Sequence, residues 1–220
     1  MKFTDELYEV AIDIWEEYLE HPFVKGIGDG TLDKEKFKTY LIQDYLYLNQ
    51  YAKVYAMGVV KARTVEEMSI YHSAIGGILK DETQVHTNYL KYFGLTPEET
   101  EKHKEKITTS SYTSYMLGVA LKGDVKEIAM TIMPCTWTYS FIGDNLKEKY
   151  SDKLENNFYK NWIEEYGSEG FRALKERWID YIDKITIDAT EDEKEKYKEI
   201  FIKSSQYEMQ FWNMAYGIHE

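Results

Sequence analysis

Tyr40-Leu41-Ile42-Gln43-Asp44-Tyr45-Leu46-Tyr47-Leu48-Asn49-Gln50-Tyr51-Ala52-Lys53-Val54-Tyr55 is the stretch from which the fold can be read. Tyr40, Asp44, Tyr47, Tyr51 and Tyr55 recur every three or four residues, so at about 100° per residue they share an arc of about 80° on a helix. Asp33 is placed to cap that helix, and the pattern carries it to about Arg63. An acid inside a tyrosine stripe has two readings. Either the tyrosines are core and Asp44 accepts protons from their hydroxyls, or Asp44 accepts from donor groups on a planar ligand stacked against Tyr47 or Tyr51.

The composition around this helix points the same way. Three prolines and 13 glycines in 220 residues are few, and residues of good helix propensity are plentiful, which predicts an all-α chain. No Pro-, Gly- or Ser-rich linker divides it, so residues 1–220 are expected to form one helical domain. A net charge of −12 argues against a nucleic-acid partner. No apolar run reaches membrane-spanning length and no leader pattern opens the chain, so a soluble cytoplasmic protein without a membrane partner is expected. One cysteine cannot form an internal disulfide and fits a reducing compartment. The 20 tyrosines are the anomaly, because buried ones need hydroxyl partners and so imply a polar network or a cavity.

Further helices follow from periodicity and caps. Leu7, Ala11, Ile14, Trp15, Tyr18 and Leu19 mark a first helix, with Thr4 as its expected cap and Pro22 beyond its end. The glycines between His21 and Leu32 read as a connecting loop rather than a phosphate loop, because no strand precedes them. Thr64 and Glu67 form a capping box for a helix expected to close near Gly94, with Gly76 and Gly77 allowing close packing or a kink. On it Glu82 and His86 stand one turn apart, either as a buried polar pair or, less in keeping with known helical metal sites, as metal ligands. Thr96 to Glu99 is a complete helix start. The hydroxyl-rich run from Thr108 to Tyr115 reads as a loop and helix entry that caps a helix or cradles a polar ligand. Asp124 opens a helix ending near Tyr150. Phe158, Trp162, Ile163 and Tyr166 suggest another, stopped by Gly167 and Gly170, and Phe171 to Ile182 a further one. The capping box of Thr190 and Glu193 opens the last.

Two stretches carry candidate chemistry. Met133-Pro134-Cys135-Thr136-Trp137-Thr138-Tyr139 holds the only cysteine beside a proline inside an apolar helical run. Proline removes the donor that would serve the Met130 carbonyl, so the helix is expected to kink or loosen there. Thr138 and Tyr139 share the face of Cys135, although a lone cysteine is most often a small buried hydrophobe. On the terminal helix Glu208 shares a face with Phe211, Trp212 and Ala215. A carboxylate there is expected to be protonated more readily than usual, as a general acid, or to be bonded to a tyrosine as a structural acid.

Together these features resemble the thiaminase II (TenA) family. The resemblance is carried by His21-Pro22-Phe23-Val24 with Gly26 to Leu32, by Gln43 and Asp44 with Tyr47 and Leu48, and by Tyr112-Thr113-Ser114. It continues in Pro134-Cys135, in Trp162 to Gly167, and in Tyr207, Glu208, Gln210, Phe211, Trp212, Met214, Ala215 and Tyr216. It implies a helical bundle of the haem-oxygenase-like type without haem, a homotetramer, and no cofactor or metal. The implied activity is hydrolysis of 4-amino-5-aminomethyl-2-methylpyrimidine to the hydroxymethyl compound in thiamin salvage, with hydrolysis of thiamin as a related activity. Carried over by position, Cys135 is the nucleophile, Asp44 binds the exocyclic amine and a ring nitrogen, and Glu208 handles protons. Tyr47 and Tyr139 line the ring pocket, while Tyr51, Tyr112 and Tyr166 surround it with hydroxyls. A non-catalytic pyrimidine-binding or regulatory protein is the alternative. A haem or di-iron oxidase ranks last, since His21, His72, His86, His103 and His219 form no matching set with carboxylates.

Overall fold

The computed structural model describes residues 2–79 and 83–218, with side chains for all of these except residues 83 and 84. Among the described residues there are helices and no strands. In chain order the helices are α1 (Phe3–Glu20), α2 (Pro22–Asp29), α3 (Lys34–Lys61), α4 (Val65–Gly77), α5 (Thr83–Tyr92) and α6 (Pro97–Thr100). They continue with α7 (Ile107–Lys122), α8 (Val125–Lys149), α9 (Lys160–Tyr166), α10 (Glu169–Ile185) and α11 (Glu191–Tyr216). The expected all-α class is what the chain forms.

Helix α3 lies at the centre, with α4, α5, α7, α8 and α11 packed around it. Its turns from Tyr40 to Leu48 are buried all round, which is why its apolar pattern is broad rather than a narrow stripe. Asp33 caps it as expected, accepting from the N–H groups of Glu35 and Lys36. Helix α8 packs most extensively on α11 and also touches α3, α7, α9 and α10, so Cys135 and Glu208 are carried by facing elements. Aromatic contacts knit the layers together. Trp15 of α1 meets Trp137 of α8 at 5.3 Å between ring centroids, and Trp212 of α11 meets Tyr40 of α3 at 5.7 Å. Each such ring, removed from water, contributes about 1.5–3 kcal/mol.

Several boundaries differ from the sequence expectation. Thr4 does not cap α1. The helix starts one residue before it, and the Thr4 N–H and hydroxyl both donate to Asp183 Oδ1 on α10, at 3.0 and 2.9 Å. The segment after His21 is not a loop but helix α2. His21 Nδ1 accepts from the N–H of Phe23, Pro22 takes the first turn, and Gly30 closes it with φ of 80°. Glycines are tolerated inside it because space is scarce: a Cβ on Gly28 would lie 2.4 Å from the ring of Tyr150.

The helix opened by Thr64 does not reach Gly94. It ends at Gly77 with a π turn at Ile78 and Leu79, and α5 follows separately. Gly76 and Gly77 mark this end rather than a close contact, since an added Cβ at either meets nothing within 4 Å. The run from Thr108 to Tyr115 lies within α7, where Thr109 and Thr113 are buried and Thr113 donates to the carbonyl four residues back. Gly170 sits in the first turn of α10 rather than stopping α9.

The tightest backbone approach is between α8 and the end of α9. A Cβ on Gly143 would fall 2.5 Å from the backbone nitrogen of Gly167 and from the carbonyl carbon of Tyr166. Because backbone atoms cannot swing aside, Gly143→Ala should lower unfolding free energy by about 1–3 kcal/mol in denaturant titrations. Gly118→Ala on α7, where an added Cβ meets nothing within 4 Å, should instead raise it by about 0.5–1 kcal/mol.

Candidate active site

Four helices converge on the middle of the bundle with ionisable and phenolic side chains. Helix α3 supplies Tyr40, Asp44, Tyr47, Tyr51 and Tyr55, all buried. Helix α7 adds Tyr112, α8 adds Cys135, Thr136 and Tyr139, and α11 adds Glu208. Tyr166 on α9 forms an outer wall, its ring 4.7 Å from that of Tyr139 in an edge-to-face contact.

Each carboxylate has a specific partner. Tyr112 donates its hydroxyl proton to Glu208 Oε1 at 2.7 Å, so the buried acid on the terminal helix is bonded to a tyrosine. Asp44 is met from a neighbouring helix. Its Oδ2 forms an ion pair with His86 Nε2 of α5 at 2.6 Å, and both side chains are buried. His86 therefore belongs with Asp44 across helices, while Glu82, its expected partner one turn earlier, lies outside the described residues. Among the described residues no group of three or more His, Cys, Asp or Glu side chains could hold a metal ion.

The tyrosine hydroxyls are engaged among themselves and with backbone. Trp162 Nε1 donates to Tyr40 Oη at 3.1 Å, and Tyr40 and Tyr139 share a hydrogen bond at 3.2 Å. Tyr55 donates to Tyr51 at 3.2 Å, and Tyr51 donates to the Ile132 carbonyl at 2.7 Å. That last bond ties α3 to α8 one turn before Cys135. Tyr47 is the centre of a ring cluster, 5.2 Å from Tyr51 and 5.3 Å from Tyr112, and Tyr112 stacks on Tyr207 at 5.0 Å. Helix α8 continues unbroken through Pro134. Thr138 donates to the Cys135 carbonyl at 3.4 Å, so its hydroxyl serves the helix backbone.

Electrostatics show how near these groups are. Burial raises Tyr47, Tyr51 and Tyr112 well above the ordinary phenol range, and a negative sulfur at Cys135 opposes their ionisation further. Tyr139 is raised by burial first, with Tyr40, Asp44 and Glu208 adding to the effect. Cys135 and Glu208 both act on Tyr47 and Tyr112, and Asp44 and Glu208 both act on Tyr139.

A cavity of about 720 Å³ leads in from the surface between α4 and α10 and ends at Cys135, Thr136, Tyr51 and Tyr55. Its walls include Ile70, Ile78, Leu174 and Trp178, and Lys184 at its rim donates to Glu66 at 2.7 Å. Asp44, Tyr47, Tyr112, Tyr139, Tyr166 and Glu208 are not among its lining residues. Of the candidate catalytic residues Cys135, Asp44 and Glu208, Cys135 is the one that lines this cavity.

Comparisons with known proteins give the family and the fold. The family model described as TENA/THI-4/PQQC matches residues 10–217. The chain belongs to that family. A Helicobacter pylori member named aminopyrimidine aminohydrolase is 43% identical, the match covering 98% of this chain and 99% of that one. A solved structure described as a TenA homologue protein from P. horikoshii OT3 superposes with a TM-score of 0.88 at 30% identity, covering all of both chains. A Shewanella denitrificans OS217 domain described as having a heme oxygenase-like fold gives a TM-score of 0.77, covering 99% of this chain and 93% of that one. At 14% identity it speaks for the fold alone, which is of the haem-oxygenase-like type.

Sequence reasoning singled out Cys135, Asp44, Glu208 and the tyrosines but not His86 beside Asp44, nor the hydrogen-bonded chain from Trp162 through Tyr40 to Tyr139. His86 stands 42 residues from Asp44, and nothing in local periodicity links α3 to α5. The motif around Trp162 was the available signal for the other pair.

The buried phenols also set a pH limit. Below about pH 10 folded and unfolded chains both keep their phenolic protons, so these groups leave stability unchanged there. Above it the unfolded chain releases protons that Tyr47, Tyr51, Tyr112 and Tyr139 retain when folded, so stability falls as pH rises. Each such tyrosine removes up to about 1.4 kcal/mol per pH unit. In an alkaline titration their tyrosinate absorbance should appear together with loss of helical circular dichroism. Ionisation of these groups in a still-folded protein would contradict the assignment.

Proposed function

We propose that this chain is an aminopyrimidine aminohydrolase that converts 4-amino-5-aminomethyl-2-methylpyrimidine to 4-amino-5-hydroxymethyl-2-methylpyrimidine in thiamin salvage, with thiamin hydrolysis as a related activity. The observation that carries this reading is a buried cysteine at the inner end of a cavity, backed by two buried acids, in a chain 43% identical to a protein named for that activity. The reading includes one helical domain over residues 1–220, a homotetramer and a cytoplasmic location.

In this mechanism the Cys135 thiolate adds to a ring carbon of the pyrimidine and the displaced electron pair moves to a ring nitrogen, which takes up a proton. Loss of aromaticity lets that nitrogen's electrons expel the amine from the side-chain methylene, and Glu208 protonates the leaving group. Water adds to the methylene and returns its proton to Glu208. The thiolate then departs as the ring nitrogen gives up the proton it took, which restores the aromatic ring. Asp44 accepts from the exocyclic amine and faces the ring nitrogen. Tyr47 and Tyr139 bound the ring, and Tyr51, Tyr112 and Tyr166 surround it. The short bond from Tyr112 supports the role of Glu208, because a phenol that donates to a carboxylate aims it and holds its lone pairs in order. The cavity beyond Cys135 offers room for the departing group, whether ammonia or the larger ring released from thiamin.

Wild type incubated with the aminomethylpyrimidine should yield the hydroxymethyl compound by chromatography, and with thiamin it should yield the same pyrimidine. Cys135→Ser should reduce turnover by about 10³-fold or more while pyrimidine binding persists. Full turnover by Cys135→Ser would sink the covalent scheme. Binding without product from wild type would favour the non-catalytic pyrimidine-binding protein.

A further inference from the structure

The ion pair of Asp44 with His86 is used by no step above, yet it occupies the carboxylate on which amine recognition depends. Asp44 is 4% and His86 0% exposed, and Nε2 lies 2.6 Å from Oδ2. They come from different helices, α3 and α5, so the pair exists only once the bundle has closed. The contact is a close ion-pair approach rather than an aligned hydrogen bond. The His86 ring lies 6.2 Å from the Tyr40 ring, tilted by 43°, and Tyr40 is itself held by Trp162 and Tyr139. The imidazole is thus fixed from the side of α3 as well as by its own helix.

A buried carboxylate with no cationic or donor partner takes up a proton, and a protonated carboxyl presents a donor where an amine needs an acceptor. The close approach of the imidazole to Oδ2 holds the Asp44 side chain in one orientation. We propose that His86 is a positioning residue for amine recognition: through its contact with Asp44 Oδ2 it sets the preference for a pyrimidine bearing an exocyclic amine over the same ring without one. This rests on the reading of Asp44 as the group that meets the amine. His86 itself touches no ligand in this scheme, so its effect falls on selection and binding more than on the bond-breaking steps.

The test compares wild type, His86→Leu and His86→Gln. Binding of 4-amino-5-hydroxymethyl-2-methylpyrimidine and of the same ring lacking the 4-amino group is measured by calorimetry, beside kcat and KM for the aminomethyl substrate. Wild type should prefer the amino compound by about tenfold to a hundredfold, the usual range for a hydrogen bond to a charged group. His86→Leu should bring that preference close to unity and raise KM by more than it lowers kcat. His86→Gln, which keeps an N–H donor at similar reach, should recover part of the preference. If the leucine variant fails to fold, His86→Met supplies a donor-free side chain of similar volume. A folded leucine or methionine variant with the wild-type preference would overturn the proposal, as would a folded glutamine variant with none. A wild type that neither binds nor hydrolyses the aminopyrimidine would instead overturn the function proposed above. One that hydrolyses it without any preference for the amine would overturn the role of Asp44.

Discussion

Two carboxylates sit among aromatic rings in the middle of this bundle, and burying each charge carries a penalty of several kcal/mol unless a partner meets it. The partners are His86 for Asp44 and Tyr112 for Glu208, and each comes from a different helix than the acid it serves. That requirement fixes how α5 and α7 must stand against α3 and α11. The hydroxyl chain from Trp162 through Tyr40 to Tyr139, and the bond from Tyr51 to the Ile132 carbonyl, extend the same logic to α8 and α9. A polar network that joins six helices specifies one arrangement more sharply than apolar packing alone, because every misregistered alternative strands a buried donor or acceptor.

The same network prepares the site. Phenols whose protons are held by burial remain donors at any physiological pH, so the surroundings of Cys135 stay polar without becoming charged. The cavity that reaches Cys135 is walled largely by aliphatic and aromatic side chains, and Asp44 and Glu208 are not among its lining. Rigid helices carry all of these groups, so little reorganisation is needed to bring a planar ring against them.

Where the sequence misled, the cause was usually a tertiary contact overriding a local rule. The glycines of α2 look like loop punctuation, but Tyr150 packs where a Cβ at Gly28 would be. Thr4 has the chemistry of a cap and instead bonds Asp183, on a helix nearly the whole chain away. The hydroxyl-rich segment before Tyr115 has turn-like residues, yet Thr109 and Thr113 are drawn into helix α7 by burial.

By itself the sequence determined the helical class, the caps at Asp33, Thr96, Asp124 and Thr190, and the tyrosine stripe with its embedded acid. These are properties of a few neighbouring residues, where spacing and backbone chemistry suffice. It also marked Cys135, Asp44 and Glu208 as the side chains to watch, through a family pattern spread over the whole chain. Only the tertiary structure decided which group answers each buried charge, that His86 pairs with Asp44 and Tyr112 with Glu208, and that a cavity reaches Cys135. The reason is that a buried charge is satisfied by whatever the packing of distant helices brings within about 3 Å, and no local periodicity encodes that distance.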